Sequence, residues 1–138
     1  MLDSRDTEVY LITDFYNGIK LWFSYMKLKS NIYKRKDKML RTEYKNNILT
    51  AYIDGEIDHD SAAKIRSRID GAAQSLKPKL LNLDFSAVSF MDSSGVGLVM
   101  GRYRQMKLIG GALRVVNVPD RLYRIFAMSG LEALGVLR

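Results

Sequence analysis

No cysteine occurs among the 138 residues, and there is a single histidine, His59. The first absence excludes disulfide scaffolds, thiolate metal sites and thiol catalysis. The second removes a histidine-built zinc site. Proline is confined to Pro78 and Pro119, so the positions where a helix must stop or start are few and informative. The chain also lacks the run of about 20 apolar residues that a membrane-spanning helix needs. Its most aromatic stretch, Val9 to Met26, is interrupted by Asp14, Asn17, Gly18 and Lys20. Nor does that stretch pair a basic start with an apolar run and a small-residue cleavage site, as a signal peptide does. An amphipathic helix lying on a membrane or a partner is the structured alternative for it.

Positive charge is present in excess, +7 overall, but it is dispersed. Residues 1–38 carry eight Lys/Arg against five Asp/Glu, and residues 39–138 carry fourteen against ten. A nucleic-acid reader concentrates such charge on one face or stripe. Spread over several segments, it reads as a solubility feature, and no direct nucleic-acid partner is expected. A chain of this length has room for one ordinary domain.

Residues 1–38 read as an N-terminal extension that runs into the basic stretch Tyr33-Lys34-Arg35-Lys36-Asp37-Lys38. They are expected to be either a flexible tail or the product of a mis-called start, with Met39 as the initiator. From Met39 onward the patterning is regular. Ile48 to Ile53 is strand-like and is closed by Asp54-Gly55. Asp60 or Ser61 is placed to cap a helix with Ala62, Ile65, Ile69, Ala72 and Ala73 on its apolar face, ended by Pro78. Leu80 to Phe85 is a nearly continuous apolar run, as in a covered strand. A helix follows over Gly95 to Leu108, with Val96, Val99, Met100, Tyr103 and Met106 on one side and Arg102, Arg104 and Lys107 in solvent. Gly110-Gly111 ends it, and Ala112 to Val116 forms the next strand.

Pro119 suits the first turn of a last helix. Leu122, Ile125 and Phe126 form its buried stripe, and Gly130 supplies a left-handed end. Leu134 to Leu137 is a short final strand. The alternation β–α–β–α–β–α, with an extra strand at either end, predicts an α/β fold: a mixed sheet of four to five strands with helices packed on it.

The chemistry concentrates on one turn. Ser93 stands between an apolar strand and an amphipathic helix, which places its hydroxyl within reach and close to a helix N-terminus. Unpaired N–H groups and the macrodipole favour negative charge there. A phosphoserine, carrying about −1.5 to −2 charge, is tolerated at such a position. Plain capping by Asp92, Ser93 or Ser94 is the simpler reading, and both hold together if Asp92 or Ser94 caps and Ser93 stays exposed. A dinucleotide fingerprint starting at Gly95-Val96-Gly97 fails because Met100 occupies the third glycine position. No Gly-x-Ser-x-Gly elbow surrounds Ser93, so a serine hydrolase would require His59 to reach it. Glu56, Asp58 and Asp60 are too few for an oxygen-only metal site, and no metal or other cofactor is expected.

The segment Asp84-Phe85-Ser86-Ala87-Val88-Ser89-Phe90-Met91-Asp92-Ser93-Ser94-Gly95-Val96-Gly97 resembles the signature of STAS domains of the sporulation-type anti-sigma factor antagonists. Three further segments agree in order and spacing: Gly55-Glu56-Ile57-Asp58-His59, Gly101-Arg102-Tyr103-Arg104-Gln105 and Arg124-Ile125-Phe126-Ala127-Met128-Ser129-Gly130-Leu131. The resemblance covers residues 42–138 and implies that residues 39–138 form a cytoplasmic STAS domain without catalytic activity. It further implies an unphosphorylated form that binds an anti-sigma factor, itself a serine kinase, and so releases the sigma factor. The kinase would phosphorylate the first serine after the motif aspartate, Ser93, and a metal-dependent phosphatase would restore it. Glu56, Asp58, Asp92, Ser93, Ser94 and Gly95 are then the expected partner-binding residues. An acidic loop beside Ser93 would complement basic residues around the partner's nucleotide. A STAS module of another partner-switching system, such as a stressosome, is the alternative within the family. The extension 1–38 departs from the family pattern.

Overall fold

The computed structural model describes residues 39–138. The expectations for the aromatic stretch and basic segment of residues 1–38 lie outside the described residues. The described chain begins with β1 (Leu40–Lys45) and β2 (Ile48–Ile57). They form an antiparallel hairpin across Asn46 and Asn47, both at positive φ. A two-residue loop with positive φ at both positions matches the twist of its strands, and asparagine tolerates that conformation. α1 (His59–Leu76), β3 (Leu80–Met91), α2 (Ser93–Leu108), β4 (Ala112–Val116) and α3 (Asp120–Met128) follow. The strand order is β1-β2-β3-β4, with β2, β3 and β4 parallel. This is the mixed sheet that the alternating pattern predicts.

One hydrophobic core lies between the sheet and the helices. Leu49, Leu81 and Leu113 stand in one row across the parallel strands, and Ala51, Leu83 and Val115 in the next. All are buried with Ile65, Ile69 and Ala73 of α1, Val99 and Met106 of α2, and Leu122 and Phe126 of α3. Phe126 meets Phe85 edge-on, ring centroids 5.2 Å apart. That geometry suits the opposed edge and face charges of aromatic rings.

Several boundaries differ from the sequence expectation. β2 does not close at Asp54-Gly55 but continues to Ile57, with Gly55 at positive φ inside the strand. β3 continues to Met91 rather than ending at Phe85. This continuation requires two register shifts against β2, between Tyr52 and Asp54 and between Gly55 and Glu56. Both are β-bulges, which hide a strand from a simple two-residue alternation. Asp84 supports the first bulge. Its Oδ1 accepts from the Ser86 N–H at 2.9 Å and the Ser86 hydroxyl at 2.6 Å, and its Oδ2 accepts from Asn117 Nδ2 at 2.9 Å. Burial pushes this carboxyl up, but the hydrogen bonds from Ser86 and Asn117, with Arg41 nearby, outweigh it and leave the pKa below the ordinary value.

Further corrections concern the helices. α2 begins at Ser93 instead of Gly95, and its buried stripe is Gly95, Leu98, Val99, Arg102 and Met106; Val96, Met100 and Tyr103 are half-buried. Arg102, expected in solvent, is only 5% exposed. Its Nε lies 2.7 Å from Asp70 Oδ1 on α1, a charge contact whose direction is not that of a well-aligned hydrogen bond. Burial lowers the guanidinium pKa, Asp70 opposes that, and Arg66 adds to the lowering. Pro119 occupies the cap position of α3 rather than its first turn. After Gly130, at positive φ as expected, Leu131–Leu134 forms a 3-10 turn. The expected final strand is reduced to one bridge between Val115 and Leu137.

Leu83 is fully buried in the central row of the sheet. Replacing it by alanine removes apolar contacts and leaves a cavity, and should cost about 2–5 kcal/mol. Chemical denaturation checks this, and a loss below about 1 kcal/mol would contradict the packing described.

Candidate partner-binding switch

The parallel register pairs Ile57, the last residue of β2, with Met91, the last residue of β3. An aspartate follows each strand and caps the next helix. Asp58 caps α1, with its Oδ1 accepting from the Ser61 N–H at 2.9 Å while the Asp58 N–H donates to Ser61 Oγ at 2.9 Å. Ser61 Oγ also donates to the Glu56 carbonyl at 3.0 Å. The cap is therefore Asp58, two residues earlier than the Asp60 expected from sequence, and Ser61 completes a reciprocal capping box. Hydrogen bonds from Ser61 hold the Asp58 carboxyl below the usual carboxylate value.

Asp92 repeats the arrangement on α2. Its Oδ1 accepts from the Ser94 N–H at 2.7 Å, and its own N–H donates to the Ile57 carbonyl at 3.2 Å. That second bond ties the start of α2 back to the end of β2. Two helix N-termini are thus set beside each other by strand register and two short caps.

Ser93 is the first residue of α2 and is exposed. Among the described residues its hydroxyl makes no side-chain hydrogen bond, because Asp92 takes the capping role. Ser94 is half-buried and Gly95 is buried. A Cβ on Gly95 would run into Cγ and Sδ of Met91, so this glycine lets α2 approach the end of β3. Glu56, Asp58, Asp92 and Ser93 are all exposed at this end of the sheet. The structure therefore brings together at one end all six residues that the sequence singled out.

Between the two helices lies an open groove of about 280 Å³ lined by His59, Ala62, Ala63, Arg66, Ser94, Gly97 and Leu98. Sequence reasoning did not assign Arg66, Gly97 or Leu98 to the site, since only helix packing brings α1 against α2. His59 lines this groove, but no hydrogen bond joins it to Ser93 among the described residues, and the hydrolase arrangement is not formed. Among the described residues no group of three or more His, Asp or Glu side chains is placed to hold a metal ion. No described helix is long and apolar enough to cross a membrane.

Gly95→Ala should overpack the contact with Met91 and cost about 1–3 kcal/mol. Urea denaturation of the variant tests this; unchanged stability would show that Met91 moves aside freely.

The family model for the STAS domain matches residues 39–136. The chain is 33% identical over 92 residues to an anti-sigma F factor antagonist of Paenibacillus polymyxa, covering 67% of this chain and 79% of that one. It is 35% identical over 86 residues to the anti-sigma-B factor antagonist of Bacillus subtilis, covering 62% and 77%. Among solved structures it is similar to the anti-sigma factor antagonist SpoIIAA. The unphosphorylated form aligns with TM-score 0.65 at 30% identity over 72% of this chain and 85% of that one. The phosphorylated form, from Bacillus, aligns with TM-score 0.60 at 30% identity over 72% and 88%. The chain belongs to the STAS-domain family of anti-sigma factor antagonists.

Proposed function

We propose that this protein is a non-enzymatic binding switch whose unphosphorylated form sequesters an anti-sigma factor with serine-kinase activity and thereby frees a sigma factor. Phosphorylation of Ser93 by that kinase ends the tight complex, and a serine phosphatase restores it. The observation that carries this reading is the exposed Ser93 hydroxyl at the first position of α2, left free by the Asp92 cap. The names of the relatives, which are antagonists of anti-sigma F and anti-sigma-B factors, support the partner class. The existence of a phosphorylated SpoIIAA structure with the same fold supports a modification that the fold tolerates.

The physics separates the two states at the interface. Within the protein, phosphate at the first turn of α2 meets the positive end of the helix. Within a complex packed against a small neutral serine, the same charge is desolvated beside Asp92. A hundredfold loss of affinity needs only about 2.7 kcal/mol. Glu56, Asp58 and Asp92 give the partner an acidic surface that would steer and orient a basic counterpart. The main role of Ser94 and Gly95 in this reading is to keep the turn small enough for close approach.

Ser93→Ala should bind the kinase partner persistently with ATP present, and Ser93→Asp should bind at least tenfold more weakly than the parent. Calorimetric titration of each variant against the anti-sigma factor of the same organism reads both. Equal affinity of Ser93→Asp and the parent, or phosphate mapped by mass spectrometry to Ser94, would overturn the assignment.

A further inference from the structure

The second bulge in β3 has a specific effect on one side chain. Gly55 pairs with Val88, and the next β2 residue, Glu56, pairs with Phe90, so Ser89 is passed over. Regular alternation from the buried Val88 would send Ser89 out, Phe90 in and Met91 out. Instead Ser89 and Phe90 are both exposed and Met91 is buried. The second bulge thus undoes the parity change made by the first, and Phe90 stands outward and Met91 inward, as they would by uninterrupted alternation from Leu83 and Phe85. Phe90 is 53% exposed, more than the exposed tyrosines Tyr44 at 40% and Tyr123 at 39%.

A solitary exposed apolar residue is ordinary on a protein surface. Three observations set Phe90 apart. A bulge at Ser89 immediately precedes it, and bulges gather beside functional sites. It stands in register with Glu56, and because the next pair, Ile57 and Met91, is buried, Glu56 and Phe90 share the opposite face. Finally, it precedes Ser93 by three residues on a strand end held by the Asp92 N–H bond to Ile57.

We infer that Phe90 is the apolar anchor of the partner interface, entering an apolar pocket of the kinase partner that has a cationic side chain at its rim opposite Glu56. This inference rests on the switch reading above. A few central aromatic residues commonly supply most of the affinity in such interfaces, surrounded by polar contacts that exclude water. Phe90 lies outside the turn that receives phosphate. It therefore serves the kinase as a docking contact in both states, while the Ser93 charge decides whether the tight complex forms.

The test is titration of the same organism's anti-sigma kinase with the full chain, its Phe90→Ala and Phe90→Leu variants, and two references. Met128→Ala removes an apolar side chain that is 83% exposed at the end of α3, and Ser93→Asp reports the switch. The expected result is at least a tenfold loss for Phe90→Ala, substantial recovery with Phe90→Leu, parent-like binding by Met128→Ala, and melting temperatures within a few degrees. Phosphorylation of Ser93 at low protein concentration should slow in parallel for Phe90→Ala. Binding by Phe90→Ala within twofold of the parent overturns the anchor, even where Ser93→Asp binds weakly and the switch stands. Conversely, parent-like binding by Ser93→Asp with weak binding by Phe90→Ala overturns the switch and keeps the anchor. Sedimentation that shows a parent dimer lost in Phe90→Ala would assign the residue to self-association and overturn the inference.

Discussion

The parallel pairing of Ile57 with Met91 holds the ends of β2 and β3 level, and the proposed switch is built on that alignment. Both side chains are buried, so a one-residue slip would turn each to the wrong face and is disfavoured by the core itself. Immediately beyond the pair stand Asp58 and Asp92, each satisfying N–H groups at the first turn of a helix. The N–H of Asp92 then returns to the carbonyl of Ile57. Ser93 is consequently carried between a paired strand end and a capped helix start. Met91 closes the arrangement from beneath, filling the space that Gly95 leaves by having no side chain.

This construction separates what the protein feels from what its partner feels. An isolated helix start accepts added negative charge at little internal cost, because the dipole and the remaining N–H groups favour it. A partner pressed against the same turn loses the water that would screen the charge, and Asp92 adds like-charge repulsion. The proposed phosphorylation would therefore be read at the interface while the core, centred on Leu83 and Phe85, stays as it is. The groove between α1 and α2 and the outward-facing Phe90 border the same turn, so the proposed partner-facing surface extends over both helix starts and the strand end between them.

Much of this was legible in the sequence because its signals are local. The apolar run from Leu80 to Phe85, the small residues after Asp92 and the glycine at 130 each act through their own neighbours. What was not legible depends on tertiary partners. Arg102 reads as a solvated residue by its charge, yet α1 brings Asp70 to it from 32 positions earlier in the chain. Asp60 and Ser61 are acceptable caps in isolation. The structure uses Asp58 because β2 extends to Ile57, and that extension depends on pairing with β3. The two bulges are the clearest case, since alternation from Leu83 and Phe85 places Val88 outside and only the cross-strand register reveals it buried. Four of the six candidate residues, Asp92 to Gly95, were found together because they are continuous in the chain, and Glu56 and Asp58 came from a second short segment. Arg66 joins the same end of the fold through packing, and Phe90 comes to stand beside Glu56 through register.

The central claim is that phosphate on Ser93 changes the interface and leaves the fold intact. The most direct measurement compares the protein before and after stoichiometric phosphorylation at Ser93, titrating each form against the anti-sigma kinase and recording each melting curve. The account predicts a loss of affinity of about a hundredfold, equivalent to about 2.7 kcal/mol, with melting temperatures within a few degrees of one another. Undiminished affinity, or a phosphorylated form that has lost its cooperative unfolding transition, would contradict it.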